Sequence, residues 1–173
     1  MSDNLANLLI LGAGQYSYVI EEIARLSGRF QDINCLDDVA PIDQRILGRI
    51  EDAEHMPREY SFAVAAIGNP QKRRALTHKL LQCRFRLPIL IHPCSWVSCS
   101  ATLSPGCVVE AHAVINANAF VGMGSFICAG AVVNHNTVIG DFCQIDCNST
   151  VPARSRVQDE TKVNCGMVFV SEK

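Results

Sequence analysis

From Val97 to Phe169 the chain reads VSCSATLSPGCVVEAHAVINANAFVGMGSFICAGAVVNHNTVIGDFCQIDCNSTVPARSRVQDETKVNCGMVF. Every sixth residue is aliphatic or aromatic, from Val97, Leu103 and Val109 through to Val157, Val163 and Phe169, thirteen positions without an insertion. Two residues before each of them stands a small side chain, from Ser95 and Ala101 to Ser155 and Thr161, and only Met167 departs. Neither the helical period of 3.6 nor the strand period of 2 gives a strict step of six. A fixed repeat of this kind is a short flat strand followed by a corner. The aliphatic residue fills the interior, and the small residue is expected to let the backbone turn tightly. Three hexads close one triangular coil, and coils stack about 4.8 Å apart through parallel strand hydrogen bonds. The stretch predicts a parallel β-helix of hexapeptide repeats, about four coils tall, over residues 93–173. A β-sandwich of alternating strands would not hold that register.

Ahead of the repeat the pattern changes. Leu8 to Leu11 is a short apolar run, followed by Gly12-Ala13-Gly14-Gln15-Tyr16-Ser17 and a helical pattern that stops at Gly28. Strand, glycine-rich turn and helix open a nucleotide-binding βαβ unit, in which the helix N-terminus offers free N–H groups to phosphate. Ser17 stands where the dinucleotide fingerprint has its third glycine, so the motif is equally that of a plain tight turn. A second strand, Ile33 to Leu36, ends in Asp37-Asp38. Carboxylates there either meet a sugar hydroxyl or base edge of a bound nucleotide or are a solvated strand terminus. The segment from Ile42 to His55 predicts a short strand or turn near Gly48 and then a short helix. Phe62 to Ile67 reads as a third strand, ended by Gly68-Asn69-Pro70. Asn69 suits an N-cap and Pro70 a first helical turn, opening a basic helix from Gln71 to Cys83. Three βα units over residues 1–92 make a small Rossmann-like α/β domain on a parallel sheet, and the β-helix follows through His92-Pro93.

Composition narrows the function. The formal charge is −2, and eleven of the fifteen Lys and Arg lie before residue 90, so nothing favours nucleic acid or an anionic membrane surface. No apolar run reaches the length of a membrane span, and the N-terminus lacks a signal peptide's basic start, which predicts a cytoplasmic protein. Nine cysteines include no C-x-x-C pair. They read as free thiols used as small hydrophobes in a reducing compartment, with no metal expected.

The order GAGQYS, CLDD, AIGNPQKRR, I-H-P and then coils carrying NHNTVIGDF resembles one family. It is similar to the acetyl-CoA-dependent sugar acetyltransferases that include sialic acid O-acetyltransferases and bacterial UDP-4-amino-sugar N-acetyltransferases. The resemblance covers nearly the whole chain and implies a homotrimer working in surface glycan biosynthesis, with acetyl-CoA as co-substrate and a nucleotide-linked or free sugar as acceptor. It implies that His135 is the catalytic base, with Asn136 beside it where relatives carry an acid. It also implies sugar-nucleotide contacts from Gly12, Gly14, Gln15, Tyr16, Asp37, Asp38, Gly68, Asn69 and Cys128, and coenzyme contacts from Gln144 and Ala153. Tyr16 stands where relatives have histidine in the glycine-rich turn, and Cys128 where many have asparagine. A neutral imidazole, with an intrinsic pKa of about 6.5, takes a proton from an amine or hydroxyl as it attacks a thioester. A histidine two residues after an interior position is also simply a surface residue at a corner. An amide orients an imidazole without stabilising its cation by charge, so Asp141 and Asp146 are the acids left to replace the missing one. The sequence ends one or two coils before relatives do, which implies a compact variant or weakened acetyl-CoA binding. Two other readings use the same scaffold. One is a non-catalytic trimer that binds a sugar nucleotide over a degenerate coenzyme site. The other is a zinc hydratase, which needs three convergent histidines where the repeat has only His112 and His135.

Overall fold

A computed structural model describes residues 6–170. It divides into two compact units, one ending at Pro88 and the other beginning at Ile89. The break lies four residues ahead of the one expected from the repeat. Leu90–Ile91 already forms a strand parallel to Val108–Val109, so the first coil strand precedes His92-Pro93.

The first unit is a four-stranded parallel sheet with helical crossovers. Its strands are β1 (Ala6–Leu11), β2 (Phe30–Leu36), β3 (Ile46–Gly48) and β4 (Phe62–Ala65), in the order β3-β2-β1-β4. Helix α1 (Gln15–Leu26) buries Ile20, Ile23 and Ala24, the apolar face visible in its spacing. Helix α2 (Pro70–Gln82) starts where the sequence expects, with the Asn69 side chain accepting from the Lys72 N–H at 2.9 Å. The short helix predicted after Gly48 is a 3-10 helix, Ile50–Arg58. Strand order reverses between β1 and β4, since β2 lies on one side of β1 and β4 on the other. The crevice outside the carboxyl ends of such a pair is the ordinary ligand position of an open parallel sheet.

The second unit is the left-handed parallel β-helix that the hexads predict. Two-residue strands recur every six residues from Leu90–Ile91 to Lys162–Val163 and stack into three parallel sheets of five, four and four strands. Residues eighteen apart pair: Val132 with Val114 and Thr150, Phe120 with Thr102 and Val138. The aliphatic hexad positions from Val109 to Val163 form one core with the small residues that precede them. Val97, Leu103 and Phe169 pack against it, partly buried.

The corner differs from expectation. The residue with positive φ sits three places before the aliphatic position, not two. Eleven successive hexads, from Gly106 to Gly166, show it there. Four of the eleven are glycine and three are asparagine, the residues that enter this region at least cost. The small residue one place later serves differently, lying inside the coil and hydrogen-bonding upward. Thr137 Oγ1 donates to the Pro152 carbonyl at 3.0 Å, Ser125 Oγ to that of Gly140 at 2.9 Å, and Cys143 Sγ to that of Gln158 at 3.0 Å. Cys107 Sγ does the same to Gly122 at 3.1 Å, and burial raises its thiol pKa to about 12. Such thiols are inert structural donors.

Candidate functional site

In the first unit the predicted residues gather at the carboxyl ends of β1, β2 and β4. Gly12 has φ +96°, and a side chain there would meet Ile67 Cδ1 at 2.7 Å. Glycine is therefore demanded by the fold. Gly14 and Gly68 are different. Each is exposed with ordinary φ, and a Cβ would find nothing within 4 Å. Among the described residues no contact requires glycine at either place, and both lie in the loops flanking the switch point. Open backbone beside the first turn of a helix is what a phosphate or pyrophosphate approaches. Ser17, the residue in place of the third glycine, is buried: its Oγ donates to the Gly14 carbonyl at 2.6 Å and accepts from Arg45. Arg45 also pairs with Glu21 at 2.9 Å and lies over the Tyr18 ring. Gln15 is exposed in the first turn of α1, with Tyr16 half-buried beside it.

The two aspartates are tied to backbone. Asp37 Oδ2 accepts from the Ala13 N–H at 2.7 Å, and Oδ1 from those of Val39 and Ala40 at 2.8 Å each. Desolvation pushes this carboxyl up, but the three N–H donors and the charge of Arg49 outweigh it and hold the pKa below the usual range. Asp38 Oδ1 accepts from the Ile50 N–H at 3.0 Å, at the start of the 3-10 helix. Neither is a loose charge at a strand end. Asp37 is the strut that fixes the glycine-rich loop to the end of β2. Asn69 is likewise engaged as a cap, and the buried Arg73 holds its loop by donating to the carbonyls of Ile67 and Gly68 at 2.8 and 3.1 Å.

In the coil unit, His135 and Asn136 are exposed on the turn between the strands Val132–Val133 and Val138–Ile139. Asn136 has φ +56°, and its Nδ2 lies 2.9 Å from His135 Nδ1. Its Oδ1 accepts from Asn118 Nδ2, one coil below, at 3.3 Å, and Asn118 N–H in turn donates to Ser100 Oγ at 3.1 Å. Asn116 and Asn134 repeat this pairing at 3.4 Å on the same corner. A polar ladder thus leads up the corner to the imidazole. Its sequence signal is asparagine recurring at a step of eighteen, one full coil. With Nδ2 facing it, Nδ1 is the acceptor and the ring carries its proton on Nε2. Turning the amide over presents Oδ1, which takes Nδ1–H and leaves Nε2 as the basic nitrogen.

The other predicted residues are dispersed. Ala153 stands one coil above His135, where the Arg154 N–H donates to the His135 carbonyl at 3.1 Å. Gln144 begins a strand of the five-stranded sheet, and Cys128 is buried at the corner that follows that sheet. Burial, and then the adjoining Glu110, drive the Cys128 thiol far above its ordinary pKa. The acids considered as replacements lie elsewhere: Asp141 Oδ1 accepts from the Met123 N–H at 2.8 Å on the third corner, and Asp146 pairs with Lys162 at 3.1 Å. His135 is left with an amide as its ring partner.

Residues 7–80 match the PglD N-terminal domain family. No curated relative matches the sequence. Among solved structures, the chain is similar to the acetyltransferase domain of PglB from Neisseria gonorrhoeae FA1090, with 29% identity, 94% of this chain and 81% of that one covered, and a TM-score of 0.89. The same domain in complex with acetyl coenzyme A matches at 28% identity over 95% and 82% of the two chains, with a TM-score of 0.89. PerB from Caulobacter crescentus in complex with CoA and GDP-perosamine matches at 25% identity over 95% and 89%, with a TM-score of 0.79. Among the described residues no helix is long and apolar enough to cross a membrane.

Proposed function

We propose that the chain is a hexapeptide-repeat sugar acetyltransferase with a PglD-type N-terminal domain, and that it acetylates the amino group of a nucleotide-linked sugar with His135 as general base. Acetyl-CoA is the co-substrate and a sugar nucleotide the acceptor, a reading supported by the gonococcal domain's complex with acetyl coenzyme A and the Caulobacter protein's complex with CoA and GDP-perosamine. The observation that carries the reading is the exposed His135 at the head of an asparagine ladder.

His135 Nε2 takes the proton from the amine as nitrogen attacks the thioester carbonyl; the tetrahedral intermediate then collapses and expels the CoA thiolate, which is protonated. The Asn136 amide, turned over together with that of Asn118 so that Asn136 Oδ1 accepts from His135 Nδ1–H and Asn118 Oδ1 accepts from Asn136 Nδ2, keeps Nε2 free for that role. The open backbone at Gly14 and Gly68 takes the diphosphate of the sugar nucleotide. Ala153 meets the coenzyme from the coil above the base, and Gln144 contributes from a neighbouring protomer in a homotrimer. Exposed Trp96 and Phe120, on two of the coil faces, support such an assembly. A cytoplasmic location follows from the acetyl-CoA requirement.

A non-catalytic sugar-nucleotide binder is the second reading, favoured by the Asn136 amide as oriented, because an Nε2-protonated ring accepts no proton there. Release of free CoA from acetyl-CoA in the presence of UDP- and GDP-linked 4-amino sugars separates the two. Turnover with one of these acceptors supports the enzyme. Binding of a sugar nucleotide without CoA release supports the binder.

A further inference from the structure

The corner that follows the five-stranded sheet carries a second cluster, on a different edge of the coil from His135. The Sγ atoms of Cys147 and Cys165 and a carboxylate oxygen of Asp146 all lie within 4.8 Å of one another. Both cysteines are free thiols one coil apart in the register, and Asp146 precedes Cys147 on the same turn. We propose that Asp146, Cys147 and Cys165 bind a thiophilic divalent cation, Zn2+ by class, which staples the turn carrying Cys165 to the coil below it. Water completes the coordination.

Two features of the corner support this. The donor set is one that zinc takes, two thiolates and a carboxylate. A tetrahedral ion with bonds of about 2.0–2.3 Å holds its donors roughly 3.3–3.8 Å apart, so side-chain rotations of about an ångström close the set around it. Charge balances as well. Three anionic ligands leave one negative charge over on Zn2+, and Lys162 Nζ already stands 3.1 Å from Asp146 Oδ2 to cancel it. A disulfide between the same cysteines would use neither Asp146 nor Lys162. The turn receiving the staple is held to the coil below by Gly166 N–H donating to the Cys147 carbonyl and Thr150 N–H donating to the Met167 carbonyl, at 2.9 Å each. Cys165 is exposed, which gives the ion a way in.

The test uses the full chain, stripped with a chelator under reducing conditions and titrated with Co2+ as a spectroscopic substitute for Zn2+. Expected is a thiolate-to-cobalt charge-transfer band saturating at one equivalent per chain and displaced by Zn2+. It should weaken in Cys147→Ser and Cys165→Ser, vanish in the double variant, and persist in Cys99→Ser, whose cysteine lies on another corner. Lys162→Ala, which leaves all three ligands in place, should weaken zinc binding about 10- to 100-fold. Zn2+ should raise the melting temperature of the wild type and not of the double variant. Absence of the band in the folded wild type, or its survival in the folded double variant, overturns the proposal. A Cys147–Cys165 disulfide in the protein as isolated, resistant to replacement by metal after reduction, overturns it too. The readouts are metal binding and melting temperature rather than acetyl transfer, so failure here leaves the reading of His135 untouched.

Discussion

The two units use polar residues in opposite ways. In the coil unit the period of six gives nearly every position a fixed role, with aliphatic residues and small donors inside and a left-handed residue at the turn. Side chains with nothing to do for the coil therefore stand out, and His135 is one of them. In the N-terminal unit no such period exists, and residues that look available are already engaged. Asp37 serves three N–H groups, Asp38 the start of the 3-10 helix, and Asn69 the start of α2. What remains for a ligand there is bare backbone at Gly14 and Gly68. A repeat exposes its functional residues as exceptions, whereas a single-copy loop exposes them as gaps.

The largest expected effect lies on the coil side. His135→Ala removes an exposed side chain whose backbone carbonyl still receives the Arg154 N–H, so the coil should melt as the wild type does. The turnover number should fall about 10²- to 10⁴-fold, the usual cost of losing a general base, with little change in acetyl-CoA affinity. Single-turnover CoA release and calorimetry measure the two. Undiminished turnover would reduce His135 to a corner residue and leave the coil with no exception of catalytic meaning.

The glycines separate gap from structural need within one loop. Gly12→Ala places a methyl group against Ile67 and strains a backbone at φ +96°, and should cost about 1–3 kcal/mol in stability. Gly14→Ala meets open space and should leave the melting temperature within about a degree, while weakening sugar-nucleotide binding by blocking the close backbone approach. If both variants are merely unstable, or both merely bind less, the distinction between them fails.

Asp37 tests the engaged residues. Asp37→Ala strands three N–H groups and should cost about 1–3 kcal/mol, contrary to the expectation that a carboxylate at a strand end is freely removed. The pH dependence follows from the depressed pKa. The carboxylate's contribution is whole above the unfolded value near 3.9 and disappears as pH falls through the lower folded value. The gap in melting temperature between wild type and variant should therefore be widest near neutrality and narrow below about pH 4. A gap independent of pH would show that Asp37 acts by shape alone.

The β-helix was legible because its core obeys a rule visible in one dimension: positions spaced by six are interior, and the structure buries them. The left-handed turn position was equally readable, from Gly106, Gly124, Gly130 and the asparagines at the same step, yet the neighbouring small residue masks it by being just as regular. Cys147 and Cys165 are eighteen residues apart, one coil, so their meeting is also written in the register. The engagement of Asp37 could not be read in this way. It depends on the shape of two loops that no periodicity determines, and on backbone donors that look alike in every sequence. The corners of Asp141 and Asp146, by contrast, are written in the register: they stand six and eleven residues past His135, on the next two corners, and so away from it.

The smallest expected effect decides what the amide beside the base means. Asn136→Asp changes one atom on a turn at φ +56°, a conformation that aspartate tolerates much as asparagine does, so the corner should keep its form. The bond from Asn118 Nδ2 survives, because a carboxylate oxygen accepts it as the amide oxygen did. Facing His135 Nδ1, however, a carboxylate can only accept. The ring must then carry its proton on Nδ1, leaving Nε2 as the base in every molecule, and the imidazolium formed in the reaction gains a neighbouring negative charge. Turnover should rise by a few-fold to about tenfold, the equivalent of up to ~1.4 kcal/mol, with acetyl-CoA affinity unchanged. Nitrogen NMR of the imidazole should show the neutral ring shifting from a mixture of tautomers, or from the Nε2–H form, to Nδ1–H alone. An Nδ1–H ring with no gain in rate would mean that the base already works in the turned-over amide. A rate that stays at zero while the tautomer changes would leave the chain a binder of sugar nucleotides built on an acetyltransferase scaffold.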